Sequence, residues 1–408
     1  MKKFAKILAL LMAVTMIIGL AACGEETDKT TKTTKSTEKE KISLKVWGAQ
    51  DDQALIQELV DGFKTANPDK EYTITLGVVG EDEAKTKFLE DPDAAADVFS
   101  FPNDQIRDFV GAGALYEITK NIADIKAANM EGSIDAATLD GKLYGYPMTA
   151  DNGYFLYYDK SVISEDQVKS LDGILAAAAA ADKKVFMDVS NGWYIASFFL
   201  GAGGKLGIGG DGKQTCDFNN ATGVKVGEAI KVFTANPAFI TGDDAVLTGG
   251  MGEKICAGIS GTWNADTIKE KLGENYAATK LPTFTVGGVQ TQMGSFGGYK
   301  LIGVNKGTKS PLDAMALAEW LTNEQSQATR FAKRELGPSN LKVAASDAVE
   351  ANVALGALAA QNEFATSQKD VLGSYWGPAE AFGTEMEARN YAKTIQQQLD
   401  DMVAQITA

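Results

Sequence analysis

The sequence predicts an α/β protein with more than one core, built on mainly parallel sheet covered by helices. Three observations carry this. The chain has 408 residues, more than one hydrophobic core serves, so two lobes are expected. Its composition, 45% hydrophobic and 23% charged, is that of an ordinary globular protein. From residue 42 onward, short apolar strands alternate with helical patterns, the rhythm of sheet with helices on its faces.

The elements follow in order. Ile42–Trp47 alternates as a strand, and Asp51 and Asp52 open a helix with Leu55, Ile56, Leu59, Val60 and Phe63 on one face. Tyr72–Val79 reads as a strand, Asp82–Glu90 as a helix, Asp97–Phe101 as a buried strand and Gln105–Ala112 as a helix stopped by Gly113. Tyr154–Tyr158 is an aromatic strand, Leu171–Ala181 an alanine-rich helix and Val185–Val189 a strand. Helices are predicted over Val224–Phe233, Ala245–Gly250, Ala265–Leu272 and Leu312–Leu321, and strands over Ile255–Ile259 and Gly297–Val304. Tyr391, Ile395, Leu399, Met402 and Ile406 mark an amphipathic closing helix.

Ahead of the folded part stands an address. Lys2, Lys3 and Lys6 precede an uncharged run from Ile7 to Ala22, too short to span a bilayer and of the form of a signal peptide over residues 1–22. Leu20-Ala21-Ala22-Cys23 resembles the bacterial lipobox, which implies lipidation at Cys23 and a position on the extracellular face of the membrane of a Gram-positive bacterium. Residues 25–41 contain no apolar side chain, and the stretch 23–41 reads as a disordered tether.

Composition also excludes. With no histidine there is no imidazole base or nucleophile relay, and three cysteines are too few for a four-thiolate metal site. No metal, cofactor or catalytic residue is expected, and only carboxylate chemistry or plain binding survives. A formal charge of −15 argues against nucleic acid as a partner. Export permits a disulfide between Cys216 and Cys256, but neither spacing nor neighbours show that they meet.

Four of the five tryptophans stand outside apolar stripes: Trp47, Trp193, Trp263 and Trp376. Trp320 lies within a helical pattern and reads as core. Polar residues accompany the four: Asp51 and Asp52 follow Trp47, Asp104 follows Phe101, Asp151 and Asn152 precede Tyr154, and Asn191 precedes Trp193 and Tyr194. Aromatic faces pack on the C–H faces of a pyranose, while carboxylates and amides take its hydroxyl rim. Each acid taken singly also fits a solvated or helix-capping role.

The stretches ISLKVWGAQDD, ADVFSFPNDQIRDFVGAGALYEIT, LDGKLYGYPMTADNGYFLYYDK, ICAGISGTWNADTIKEKLG and YKLIGVNKGTKSPLDAMALAEWLT resemble the extracellular solute-binding proteins of ABC sugar importers, the maltose/maltodextrin-binding proteins above all. The resemblance implies a periplasmic-binding-protein-like fold, two α/β lobes joined by a hinge with the ligand cleft between them. It places the N-terminal lobe in 42–150 plus about 292–335, and the C-terminal lobe in about 151–291 plus 336–408. Carried over by position, sugar-binding roles fall on Asp51, Asp52, Phe101 and Asp104, on Asp151 or Asn152, and on Trp193, Trp263 and Trp376 with Tyr375 adjacent. Phe101 stands where a tryptophan is usual, and Gln105 replaces a sugar-binding arginine.

The expectation is therefore a monomeric lipoprotein that captures oligosaccharides, α-1,4-linked malto-oligosaccharides first, closes around them without cleavage and delivers them to a membrane permease. One alternative keeps the fold and changes the ligand to a polyamine or other cation held by acids and aromatics. A remoter one is a carboxylate glycosidase.

Overall fold

The computed structural model describes residues 39–408. The signal peptide, Cys23 and the tether up to residue 38 lie outside them. Strands β1 (Glu40–Gly48), β2 (Lys70–Val78), β3 (Val98–Pro102) and β4 (Tyr146–Gly153) are followed by β5 (Phe155–Asp159), β6 (Lys184–Phe186), β7 (Phe239–Ile240), β8 (Ile255–Ser260) and β9 (Tyr276–Thr279). Two more, β10 (Ser295–Val304) and β11 (Ala365–Ser367), complete the two large sheets. The first sheet runs β11-β10-β3-β1-β2, with β4 also paired to β10; the second runs β7-β6-β8-β5-β9.

The first strand starts at Glu40, inside the stretch whose composition reads as tether. Glu40 pairs with Lys70 and Lys41 with Glu71, and the Lys70 ammonium lies 3.4 Å from Glu40. Backbone pairing needs no apolar side chain, and opposite charges across a strand pair support it.

Both sheets are mixed rather than mainly parallel. Pairs β1–β2, β1–β3, β6–β8, β6–β7 and β10–β11 are parallel, but β10 runs antiparallel to β3 and β4, and β5 runs antiparallel to β8 and β9. The cause is connectivity. After Gly153 the chain runs from β4 straight into β5 in the other sheet, and β10 returns to the first, so these strands enter against their neighbours.

Helix α1 (Gln53–Ala66) buries Leu55, Ile56, Leu59, Val60 and Phe63 on the first sheet, as their three-to-four spacing requires. Helices α2 (Gly192–Gly201), α3 (Ala265–Leu272), α4 (Pro311–Thr322) and α5 (Glu324–Arg334) are followed by α6 (Trp376–Glu387) and α7 (Ile395–Ile406). One core lies around the first sheet, and two clusters line the second. Trp320 of α4 packs edge-on to Phe63 at 6.2 Å and donates its indole N–H to the Leu59 carbonyl, a core role. Tyr391 precedes α7 instead of lying on it. Cys216 and Cys256 are free thiols. Among the described residues no helix is long and apolar enough to cross a membrane.

Candidate functional site

Three half-buried tryptophans edge the second core. Trp193 opens α2, where Asn191 caps the helix by accepting the Trp193 backbone N–H at 2.9 Å. Trp263 sits in the short 3-10 turn Thr262–Asn264 that leads from β8 into α3. Trp376 is the first residue of α6. The Trp193 and Trp263 ring centroids are 5.9 Å apart at 37°. Trp376 joins them through the core: it lies 5.8 Å from Phe296, whose backbone N–H donates to the Tyr154 hydroxyl, and Tyr154 meets Trp193 edge-on at 4.5 Å.

The indole N–H groups of Trp193 and Trp263 are committed. Trp263 Nε1 donates to Asp244 Oδ2 at 2.8 Å, and Trp193 Nε1 donates to Gln368 Oε1 at 3.1 Å. Gln368 in turn donates to Asp104 Oδ1 at 2.8 Å. With their edges fixed, the half-buried Trp193 and Trp263 indoles can offer a ring face to a ligand.

Facing these rings is a set of charges. Lys300 of β10 holds its ammonium 5.4 Å over the Trp263 ring and 3.6 Å from Glu81. Burial opposes its charge, but Glu81, Asp151, Asp52 and Asp82 outweigh burial and hold its pKa above the ordinary lysine value. Asp104 is pushed up to about 7, chiefly by burial, against the pull of Lys85 and the Gln368 bond. Burial also raises Asp244.

The structure brings together only part of the residue set the sequence singles out. Trp193, Trp263, Trp376 and Asp104 stand around one region. Phe101 is fully buried among Phe99 and Phe109 in the first core, so it presents no ring face to a ligand. Trp47 is core as well: it is 8% exposed, lies 6.2 Å from Phe99, and leaves no room for a side chain at Gly77. Tyr154, Tyr194 and Tyr375 are buried; the Tyr154 hydroxyl donates to the Trp193 carbonyl and the Tyr375 hydroxyl to the Gly192 carbonyl, so they brace the tryptophan wall from behind.

The acids divide likewise. Asp51 is exposed, whereas Asp52 is buried between Arg330 at 3.5 Å and Arg334 at 3.0 Å of α5. Asp151 is buried and accepts from Thr262 Oγ1 at 2.7 Å and from the Gly337 backbone N–H at 2.6 Å. It therefore ties the start of the Trp263 turn to the end of β4, a structural clamp. Asn152 lines a different space, a cleft of about 340 Å³ shared with Asn103, Tyr299, Asn362, Ser367 and Lys369. Successive strand residues face opposite ways, so Tyr299 turns to this cleft and Lys300 to the tryptophans.

Gln105 is 5% exposed and serves the backbone: it donates to the Asp82 carbonyl at 2.9 Å and accepts from the Lys85 N–H at 3.2 Å. It thus fixes the segment that carries Glu81, and the cation near the rings comes from Lys300 instead. Sequence reasoning passed over Gln368, Asp244, Lys300 and Glu81. The one signal available, a polar residue inside an otherwise apolar or small-residue stretch, pointed to Lys300 alone, in Gly297-Gly298-Tyr299-Lys300-Leu301. No group of three or more Asp, Glu or Cys arranged to hold a metal ion occurs among the described residues.

Known proteins are similar to this chain over nearly all of its described length. A galactooligosaccharide-binding protein of Bacillus subtilis (strain 168) is 28% identical over 407 residues, covering 93% of this chain and 92% of its own. A solved structure determined with acarbose is 33% identical, covers 90% of this chain and 99% of its own, and superposes with a TM-score of 0.81. The maltodextrin-binding protein MalE1 from L. casei BL23, solved without ligand, is 26% identical over 90% of this chain and 99% of its own, with a TM-score of 0.74. The Bacillus and L. casei relatives are binding proteins, not enzymes. The sequence pattern of bacterial extracellular solute-binding proteins matches residues 58–357, and the chain belongs to that family.

Proposed function

We propose that this protein captures short oligosaccharides between its two lobes and releases them uncleaved to a membrane permease. α-1,4-Linked malto-oligosaccharides of three or more rings are the preferred ligands. The observation that carries the reading is the wall of half-buried Trp193, Trp263 and Trp376, in which the indole edges of Trp193 and Trp263 are pinned. Tilted platforms, 37° apart for the first two, suit the curved path of an α-1,4 chain better than a flat β-1,4 ribbon. Asp104, Lys300 and Glu81 supply acceptors and a donor for the hydroxyl rim, and a hydrogen bond to a charged group contributes about 1.5–3 kcal/mol. The acarbose-associated and maltodextrin-binding relatives support the α-glucan choice, while the galactooligosaccharide-binding relative makes galacto-oligosaccharides its direct rival.

Two further parts of the reading concern address and motion. The lobes move about the crossings near Gly153 and Ser295, a hinge closure of the kind such folds use. Cys23, lipidated, holds the protein at the outer membrane face. Calorimetric titration with glucose, maltose, maltotriose, cellotriose and a β-galactotriose tests the ligand. Maltotriose binds tightest and glucose hardly at all; tighter β-galactotriose binding transfers the assignment to galactosides, and released glucose revives hydrolysis.

A further inference from the structure

We propose that Gln368 is a positioning residue that sets how the two walls of the site meet on a ligand. The inference rests on the oligosaccharide reading for its ligand, but its geometry is independent of it. Gln368 lies just after β11, on a stretch that leaves the first sheet for α6 and the second core. It is 2% exposed. Its amide is used at both ends: the oxygen accepts from Trp193 Nε1 at 3.1 Å and the nitrogen donates to Asp104 Oδ1 at 2.8 Å. Asp104 follows β3 of the first sheet, and Trp193 opens α2 on the second core. One side chain therefore spans both walls.

The place is made for it. Gly298 of β10 lies alongside, and a Cβ there would stand 2.7 Å from the Gln368 amide carbon, so a larger neighbour would expel the side chain. Chemistry also narrows the residue. An N–H from Trp193 needs an acceptor, the Asp104 carboxylate needs a donor, and an amide offers both from one planar group. A single bond leaves Asp104 with further acceptor capacity for a hydroxyl. When the lobes part, Gln368 travels with one wall and gives up a bond to the other. The amide thus contributes to closure and fixes the indole plane that a sugar ring stacks on.

Charges around the pair are few. Lys85 and Asp108 act on Asp104 from two neighbouring helices, and the Arg107–Asp370 ion pair at 2.8 Å flanks it. Replacing the amide by a second carboxyl forces Asp104 and residue 368 to share a proton, because two adjacent carboxylates do not both ionise readily.

The test compares parent, Gln368→Ala and Gln368→Glu by maltotriose calorimetry between about pH 5 and 8, with X-ray scattering of the unliganded proteins. We expect Gln368→Ala to bind about tenfold more weakly, through loss of two bonds and of closure, and to scatter as a more expanded molecule. Gln368→Glu should bind poorly at the alkaline end and recover as pH falls, a profile that a merely structural role would not give. Parent-like affinity in Gln368→Ala, or a Gln368→Glu profile parallel to that of the parent, overturns the proposal. If Gln368→Ala does not fold, the Gln368→Glu profile decides. If the parent binds no oligosaccharide, the sugar reading fails alone, and scattering decides: expansion of Gln368→Ala sustains the positioning role and an unchanged curve overturns it.

Discussion

The Trp193 and Trp263 rings stand 5.9 Å apart and 37° from parallel, one at the start of a helix and the other in a turn after a strand. Neither position lies in a regular apolar stripe. Each N–H is anchored, Trp193 on Gln368 and Trp263 on Asp244, so the two rings are set before any ligand arrives. Such preorganisation cuts the ordering cost of binding.

Trp193→Ala and Trp263→Ala should each weaken maltotriose binding by about 1–3 kcal/mol, the range for losing an aromatic platform. Calorimetry reads this directly. Their thermal midpoints without ligand should fall less than that of a core substitution, since both rings are half-buried.

Trp320→Ala should give the reverse pattern. It removes the edge contact with Phe63 and the bond to the Leu59 carbonyl from a ring that is itself partly buried, so the loss in a denaturant titration should be about 1–3 kcal/mol and should exceed that of either site tryptophan. Maltotriose affinity of the folded fraction should stay within twofold of the parent, because Trp320 packs on the first core whereas the three site tryptophans pack on the second.

Asp151→Ala removes the acceptor on which two donors of the clamp converge. Thr262 and the Gly337 N–H both point at Asp151 Oδ2, and both then lose their acceptor in a buried place. A loss of about 1–3 kcal/mol in stability is expected. Because Thr262 adjoins Trp263, binding should weaken too. Unchanged stability would show that the clamp is dispensable.

Asp104 sets the sign of a pH effect. Its carboxyl titrates near 7 in the folded chain, far above the ordinary 3.8, because burial disfavours the charge. The folded state therefore holds the proton longer than the unfolded one, and this group's contribution to stability falls as pH rises from about 4 to 7. Asp104→Asn should remove that slope, so the difference in thermal midpoint between variant and parent widens in the variant's favour across the window. A pH-independent difference would refute the assignment.

Much of this was legible in the residues. Amphipathic spacing located α1 and α7, and the pattern read over Leu312–Leu321 located α4. What spacing does not carry is direction: a short buried strand reads alike whether its neighbour runs with it or against it, so the antiparallel β5 and β10 came as corrections. Helices α2 and α6 were hidden because Gly192-Trp193-Tyr194 and Tyr375-Trp376-Gly377-Pro378 look like turns, whereas Asn191 caps a helix whose faces are nearly all buried. Within the site, the exposed-looking aromatics resolved by burial. Phe101 follows three apolar or small residues in β3 and went inward, while Trp263 follows Ser260-Gly261-Thr262 at a strand end and stayed at the edge. Gln368 was invisible because its role depends on partners far away in sequence, Asp104 and Trp193.

The most direct test is the set of tryptophan indole N–H resonances during a maltotriose titration. The chain has five tryptophans, so the five signals are assignable by substitution. The account predicts saturable shifts for Trp193, Trp263 and Trp376, with Trp47 and Trp320 stationary. Shifts confined to Trp47 or Trp320, or no shift at any sugar concentration, would contradict it.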